Sequence, residues 1–369
     1  MTLLYIAAGE ASGDILGARL IAALRARDAS LDFAGIGGER MAEQGFVSLF
    51  DIRQLALMGV AEVLPSILRL KRRMEETVAD ITARRPRLII TIDSPGFTLR
   101  LAARVRHLGI PVIHYVAPQV WAWRPGRVKK IAQRVDRILA LLPFEAPIFE
   151  AAGIPVDFVG HPILESEAAH GVAERAPGEG RRLIIMPGSR RGEVKRLLPI
   201  FAESLKRLPA DIHPIIGLAG TVEETVRARA AEWGRPVSMV RSPQDKADAF
   251  AAARAGLIKS GTSSLEAAVA GLPHVIAYTF NPVSNFIIRR LFRLKYASLV
   301  NLLLDEPVVP EFLLPHCEPV RISAGLTRLF EEDEAVARQR EGFARALARL
   351  RPEHGLPSEA AADAVLRQL

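Results

Sequence analysis

At 369 residues the chain exceeds the size at which one hydrophobic core stays stable, so two domains are the expected arrangement. Hydrophobic residues make up 49% and charged residues 24%, an ordinary globular composition, and the single cysteine, Cys317, excludes an internal disulfide framework. The formal charge of +8 calls for an anionic partner: nucleic acid, a nucleotide or an anionic membrane surface. No uncharged apolar stretch reaches the roughly 18 residues of a spanning helix, and no basic region precedes the first apolar run. The N-terminus therefore reads as a strand, not a signal peptide, and the expected location is the cytoplasm.

In chain order, the first apolar run "TLLYIAA" is followed by "GEASGD", Gly9 to Asp14, and a helical pattern over 15–27. "LDFAGIG", "RLIITID", "PVIHYVA", "RILALLP" and "VDFVGHP" follow as candidate strands, most separated by helical patterns such as 99–107. A polar stretch, "ILESEAAHGVAERAPGEGRR", reads as a linker. The alternation then resumes with "RLIIMPGS", "IHPIIGLAG", "VSMVRS", "GLIKSGT" and "HVIAYTF", and from about Ser323 the chain is helical. This is the pattern of parallel α/β sheets. The expected division is 1–165, 180–345 and a closing helical segment 346–369, whose return to the first domain is left open. Ligands of such sheets sit beyond the carboxyl ends of the strands, so the informative residues are those directly after each strand.

In the second half, "MPGSRRGE" supplies a tight turn at Gly188, a hydroxyl at Ser189 and guanidinium groups at Arg190 and Arg191. "SGTSSLEAA" repeats the device with Gly261 and a helix starting near Ser263. Backbone N–H groups at helix starts, joined by Arg, suit a nucleoside diphosphate. Glu266 has two readings, a ligand contact or the second half of a capping box with Ser263. In the first half, Asp93 ends an apolar strand and can accept a proton from an attacking hydroxyl, or simply cap the next helix. Trp121 and Trp123 in "PQVWAW" suit a sugar or acyl chain, or a core. The sequence contains no G-x-x-x-x-G-K-[ST], G-x-G-x-x-G, H-x-x-x-H or G-x-S-x-G, which argues against ATP-phosphate, dinucleotide, metallohydrolase and serine-hydrolase chemistry. Two basic amphipathic blocks, "RLKRRM" after "LALMGVAEVLPSIL" and "IIRRLFRLKY", carry apolar faces at Val60, Val63, Leu64, Ile67, Leu68 and at Ile287, Ile288, Leu291, Phe292. Such faces pack on a core or lie on a membrane surface.

Taken together, "GEASGDILGA", "IDSPGF", "IHYVAPQVWAWR", "LPFE", "FVGHP", "PGSRRGEV", "SGTSSLEAA" and "YASLVNLLLDE" make the chain resemble the lipid-A-disaccharide synthase family, from the first strand to at least Cys317. The resemblance implies a GT-B fold, two Rossmann-like parallel-sheet domains facing each other across a cleft. It implies an inverting glycosyltransferase that uses no metal and no cofactor. The implied substrates are UDP-2,3-diacylglucosamine and 2,3-diacylglucosamine 1-phosphate (lipid X), and the implied place is the cytoplasmic face of the inner membrane of Gram-negative bacteria. On this reading Asp93 is the general base, and Glu10, Ser12, Gly13, Trp121 and Trp123 lie on the acceptor side. Gly188, Ser189, Arg190, Gly261, Thr262, Ser263, Glu266 and Asn301 lie on the UDP side, with Glu266 on the ribose. Asp14 is read as starting the first helix, and a homodimer is left open. Two departures stand out. The family's "D-[AS]-P-D-F-N" is "DSPGFT" here, with Gly96 and Thr98 replacing Asp and Asn. Leu314 stands where the family often has Gln. The alternatives are another GT-B enzyme acting on UDP-GlcNAc (a 2-epimerase or a lipid-linked GlcNAc transferase) and a basic nucleic-acid-binding module. The last is disfavoured by 6% aromatic content and by bases interleaved with apolar residues.

Overall fold

Apolar runs without polar alternation become parallel strands covered on both faces. In the computed structural model, which describes residues 2–55, 63–120, 125–170, 181–279, 295–313 and 315–369, these runs build two sheets. β1 (Thr2–Ala8), β2 (Leu31–Ile36), β3 (Leu88–Ile92), β4 (Val112–Tyr115), β5 (Arg137–Ala140) and β6 (Val156–Phe158) form a six-stranded sheet in the order β2-β1-β3-β4-β5-β6. β7 (Arg182–Met186), β8 (His213–Gly217), β9 (Ser238–Val240), β10 (Ala255–Lys259), β11 (His274–Tyr278) and β12 (Glu311–Leu313) form a second, ordered β12-β11-β10-β7-β8-β9. Every neighbouring pair is parallel.

The chain divides into two units, residues 1–162 with 350–369 and residues 163–349. The core of the first gathers Tyr5, Ile89, Leu101, Val112 and Phe149; that of the second gathers Leu183, Phe201, Ile216 and Leu257. Part of the expected linker is ordered as the short helix Glu167–His170, and 171–180 lies outside the described residues. Among the described residues no helix is long and apolar enough to cross a membrane.

Strand order places a switch point in each sheet. In the first, the chain leaves β1 for β2 on one side and later returns to β3 on the other. In the second, β7 is flanked by β8 and by β10. At such points the connecting helices diverge to opposite faces, leaving a crevice at the carboxyl ends of the two strands. Register decides what lines it. Ala8 pairs with Ile92, so Gly9 and Asp93 leave the sheet side by side. Met186 pairs with Ile258, so the Gly188 turn leaves beside Lys259.

The first helix starts at Ala11, earlier than the sequence pattern suggests, so "GEASGD" is a two-residue link followed by a helical turn. Asp14 lies buried in that turn. Its carboxylate accepts from the backbone N–H groups of Gly38 (2.7 Å), Arg40 (3.0 Å) and Met41 (3.1 Å). It thus caps the helix Glu39–Ala42 after β2 and anchors the first helix to a second connection, a role beyond starting its own helix.

The chain's last helix, Pro357–Leu366, packs on this first helix and buries Ala361, Ala362, Ala364 and Val365. The link is extended by a backbone bond from His161 N–H to Leu350 O (3.0 Å) and an ion pair between Arg27 and Asp363. Apolar burial outweighs the ion pair here, because Asp363 is half exposed and such pairs contribute at most about 1 kcal/mol. Val365→Asp, which strands a charge in the seam, should cost about 3 kcal/mol or more. Asp363→Ala should cost under about 1 kcal/mol. Denaturant unfolding of the two variants checks the ranking.

Candidate active site

At the switch point of the first sheet, Gly9 is required by a close approach. A Cβ on it would lie 2.6 Å from Ser94 Oγ and closer still to Ser94 Cβ. Because nothing is there, the ends of β1 and β3 meet, and Ser12 Oγ donates to Asp93 Oδ2 at 3.2 Å. The other carboxylate oxygen accepts from Ser94 N–H at 2.7 Å.

The backbone around this carboxylate is strained. Asp93 and Ser94 are left-handed (φ 50° and 44°), as is the β-branched Val116 (φ 78°) just past the neighbouring β4. Each such residue costs about 1–3 kcal/mol. The cost is offset by a fixed set of bonds: Asp93 N–H to Tyr115 O (2.9 Å), Val116 N–H to Leu139 O (3.0 Å) and Thr98 Oγ1 to Asp93 O (2.6 Å). Thr98, where the family pattern has Asn, thus has a defined task, and it also donates to Ser94 O at 3.0 Å. Gly96 faces open space. The result is a half-buried carboxylate whose main chain is locked and whose oxygens each hold one donor.

Other first-half candidates separate. Glu10 is exposed and its side chain makes no capping bond. Gly13 is buried: a Cβ there would meet Ile92 O at 3.3 Å, so its lack of a side chain lets the helix pack against the end of β3. Trp121 and Trp123 lie outside the described residues, as do Leu314, 56–62 and the second basic block to residue 294.

At the second switch point, the helices Arg191–Leu205 and Thr262–Val269 begin directly after β7 and β10. Neither N-cap residue, Arg190 or Gly261, makes a side-chain capping bond, so first-turn N–H groups such as those of Thr262 and Ser263 have no cap from those positions and can donate to an anion. Gly188 turns with φ 97°, a conformation that other residues rarely adopt. The Ser189 carbonyl is fixed by Thr221 Oγ1 at 2.7 Å.

Beneath these loops lies a charge cluster that the sequence patterns do not announce. Glu193, 6% exposed, accepts at Oε1 from the Tyr278 hydroxyl (2.8 Å) and Arg190 Nη1 (3.3 Å), and pairs at Oε2 with Lys259 Nζ (3.2 Å). Burial alone would raise the Glu193 carboxyl, but Tyr278, Lys259 and Arg190 outweigh it and hold it below the ordinary value. Burial, then the bond to Glu193, pushes the Tyr278 hydroxyl up to about 12.

Glu266 is different. The helix starts at Thr262, placing Glu266 beyond the first turn, so the capping-box reading does not hold. Its carboxyl is raised by burial, with Lys246 only partly opposing. Asn301 also departs from expectation. It is fully buried, its amide donating to Val309 O and Glu311 Oε1 and accepting from Val309 N–H, all at 2.8 Å. Its amide is engaged within the chain and supports the segment around Val309 and Glu311. Glu311 in turn accepts from Ala297 and Ser298 N–H (both 2.8 Å), and Ser260 Oγ donates to Ala297 O (3.2 Å), which ties that segment to the β10 loop. Among the described residues no cluster of His, Cys, Asp or Glu is placed to hold a metal ion.

The family model for lipid-A-disaccharide synthetase matches residues 4–365. The chain belongs to the lipid-A-disaccharide synthase family. It is 46% identical to the lipid-A-disaccharide synthase of Granulibacter bethesdensis, covering 100% of this chain and 98% of the relative. It is 45% identical to those of Gluconobacter oxydans (99% and 90%) and Rhodospirillum centenum (99% and 94%). The protein is therefore a glycosyltransferase of lipid A biosynthesis. Among solved structures, Acinetobacter baumannii MurG matches at TM-score 0.60 and 14% identity over 100% of both chains. The UDP-GlcNAc 2-epimerase of Neisseria meningitidis matches at 0.64 and 13%, also over 100% of both. At this identity the two share the GT-B fold and nothing finer. The epimerase and GlcNAc-transferase alternatives are not favoured, because the relatives at 45–46% identity over nearly the whole chain are synthases.

Gly9→Ala must displace Ser94 and with it Asp93, and misplacement by about 1 Å can cost about 100-fold in rate. Turnover should fall on that order while UDP affinity, measured calorimetrically, is unchanged. Glu266, whose carboxyl is raised in the folded chain, destabilises it when ionised. Glu266→Gln should therefore raise the melting temperature at neutral pH, and the difference should vanish as pH falls below the ordinary 4.5, where the carboxyl is protonated in both states.

Proposed function

We propose that the protein transfers 2,3-diacylglucosamine from its UDP derivative to the 6-hydroxyl of 2,3-diacylglucosamine 1-phosphate, with inversion at the anomeric carbon. Family membership supports this choice of substrates. The observation that carries the mechanism is the Asp93 carboxylate, held in a strained, fixed main chain at a switch point with Ser12 on one oxygen. Asp93 takes the hydroxyl proton as the acceptor oxygen bonds to C1. The C1–O bond to the diphosphate breaks, and its electron pair leaves with UDP. In the second unit, the N–H groups after Gly188 and Gly261, with Arg190, bind the diphosphate and offset its growing charge. Ser189, Thr262 and Ser263 add hydroxyl contacts, and Glu266 bonds the ribose. Glu10 and Ser12 lie on the sugar-acceptor side.

We place the enzyme at the cytoplasmic face of the inner membrane, bound peripherally. The supporting feature is Leu68, 64% exposed on the helix Val63–Arg84 beside the exposed Lys71 and Arg72. Acylated substrates reside in a bilayer, and anionic lipid attracts each nearby base by about 1 kcal/mol.

The deciding experiment offers the enzyme UDP-2,3-diacylglucosamine with the acceptor, and UDP-GlcNAc alone. Disaccharide and UDP are expected from the first mixture; turnover of UDP-GlcNAc alone would point to an epimerase. Asp93→Asn should lower kcat by about 100-fold or more with folding and UDP binding intact. A variant that remains active removes Asp93 as the base.

A further inference from the structure

Lys259 ends β10 and reaches both loops of the second switch point. Its stem runs beneath the first: a Cβ on Gly188 would lie 3.2 Å from Lys259 Cδ. Its ammonium lies beneath the second, 3.6 Å from where a Cβ on Gly261 would be. The side chain is only 16% exposed. The ammonium pairs with Glu193 Oε2 at 3.2 Å and sits 5.1 Å from the Tyr278 ring centroid. An ammonium has three donors, and among the described residues its one ionic partner is Glu193 Oε2. It therefore keeps donor capacity for a further anion, in a partly desolvated position between two helix starts where electrostatic interactions are stronger than in water.

Glu193 has the wrong sign for an anion site, yet its arrangement explains itself. Tyr278 and Arg190 both bond Oε1, so Oε2 is kept for Lys259. The carboxylate fixes the ammonium under the loops, and two cations against one anion leave a net positive site.

Resting on the donor-site reading above, we propose that Lys259 bonds the diphosphate of the nucleotide donor directly, and that Glu193 is the positioning residue that aims it. As the C1–O bond breaks, the electron pair stays on the departing phosphate oxygen, and Lys259 stabilises it by hydrogen bonding without giving up a proton.

The test uses the full chain and titrates UDP and uridine into the wild type, Lys259→Met, Lys259→Arg and the double variant Lys259→Met/Glu193→Gln. A charge-assisted bond of this kind corresponds to about tenfold or more in affinity. Lys259→Met should weaken UDP by that factor and leave uridine unchanged, and Lys259→Arg should restore most of the loss. Lys259→Met strands Glu193, so its melting temperature should drop; the double variant, which removes both charges, should regain stability but not UDP affinity. An unchanged UDP affinity in Lys259→Met, or recovery of affinity together with stability in the double variant, would reduce Lys259 to a structural ion pair and overturn the proposal. A wild type that binds uridine and UDP equally, or neither, overturns the donor-site reading itself.

Discussion

The close approach of the β1 and β3 ends at Gly9 and Ser94 is the contact on which the geometry around Asp93 depends. A parallel sheet buries its strands on both faces and exposes only their ends. A switch point is where the connections leaving two adjacent strands diverge to opposite faces and open a crevice at the strand ends. The register of Ala8 with Ile92 brings Asp93 to that point, and the absent side chain at Gly9 lets Ser12 reach it. Backbone strain concentrates at the same place, at Asp93, Ser94 and Val116. That strain is held by a fixed set of bonds and gives Asp93 a rigid position, as a proton-transfer role would require.

The second unit solves a different problem with the same architecture. A diphosphate needs positive charge that remains in place while negative charge grows on it. On the proposed reading, uncapped helix starts provide part of this, and the cluster of Arg190, Lys259, Tyr278 and Glu193 provides the rest. Glu193 sits in the first turn of its helix, where a carboxylate is favourable, and its three partners come from the ends of three separate strands or loops. Part of the chain's positive charge thus gathers around Glu193 at the second switch point, and part lies near an exposed apolar residue, Leu68.

Much of this is legible in the sequence because strand ends are punctuated by residue type. Asp93, the Gly188 turn and the Gly261 loop can be picked out from apolar runs followed by Gly, Ser or Asp. What cannot be read is anything decided by register or by contact between distant segments. Gly9 looks like a turn residue, but its partner is 85 residues away. Asp14 looks like a helix starter, but it caps a different helix. Glu266 and Ser263 match a capping box, yet the helix begins too early for it. Asn301, expected at the ligand, is consumed by Val309 and Glu311. Lys259 is hidden in a strand pattern, since a single Lys after "GLI" carries no signal without β7 beside it. β12 is three residues long and follows a proline, too short to register as a strand.

The proposed mechanism divides the chemistry, with the base at one switch point and the diphosphate at the other. Hydrogen–deuterium exchange with UDP alone tests that division most directly. UDP should protect the backbone amides of 188–194 and 261–266, where helix starts hold the phosphates, and leave 9–14 and 93–98 at their unliganded rates. Protection falling on 9–14 and 93–98, with 188–194 and 261–266 unaffected, would contradict it.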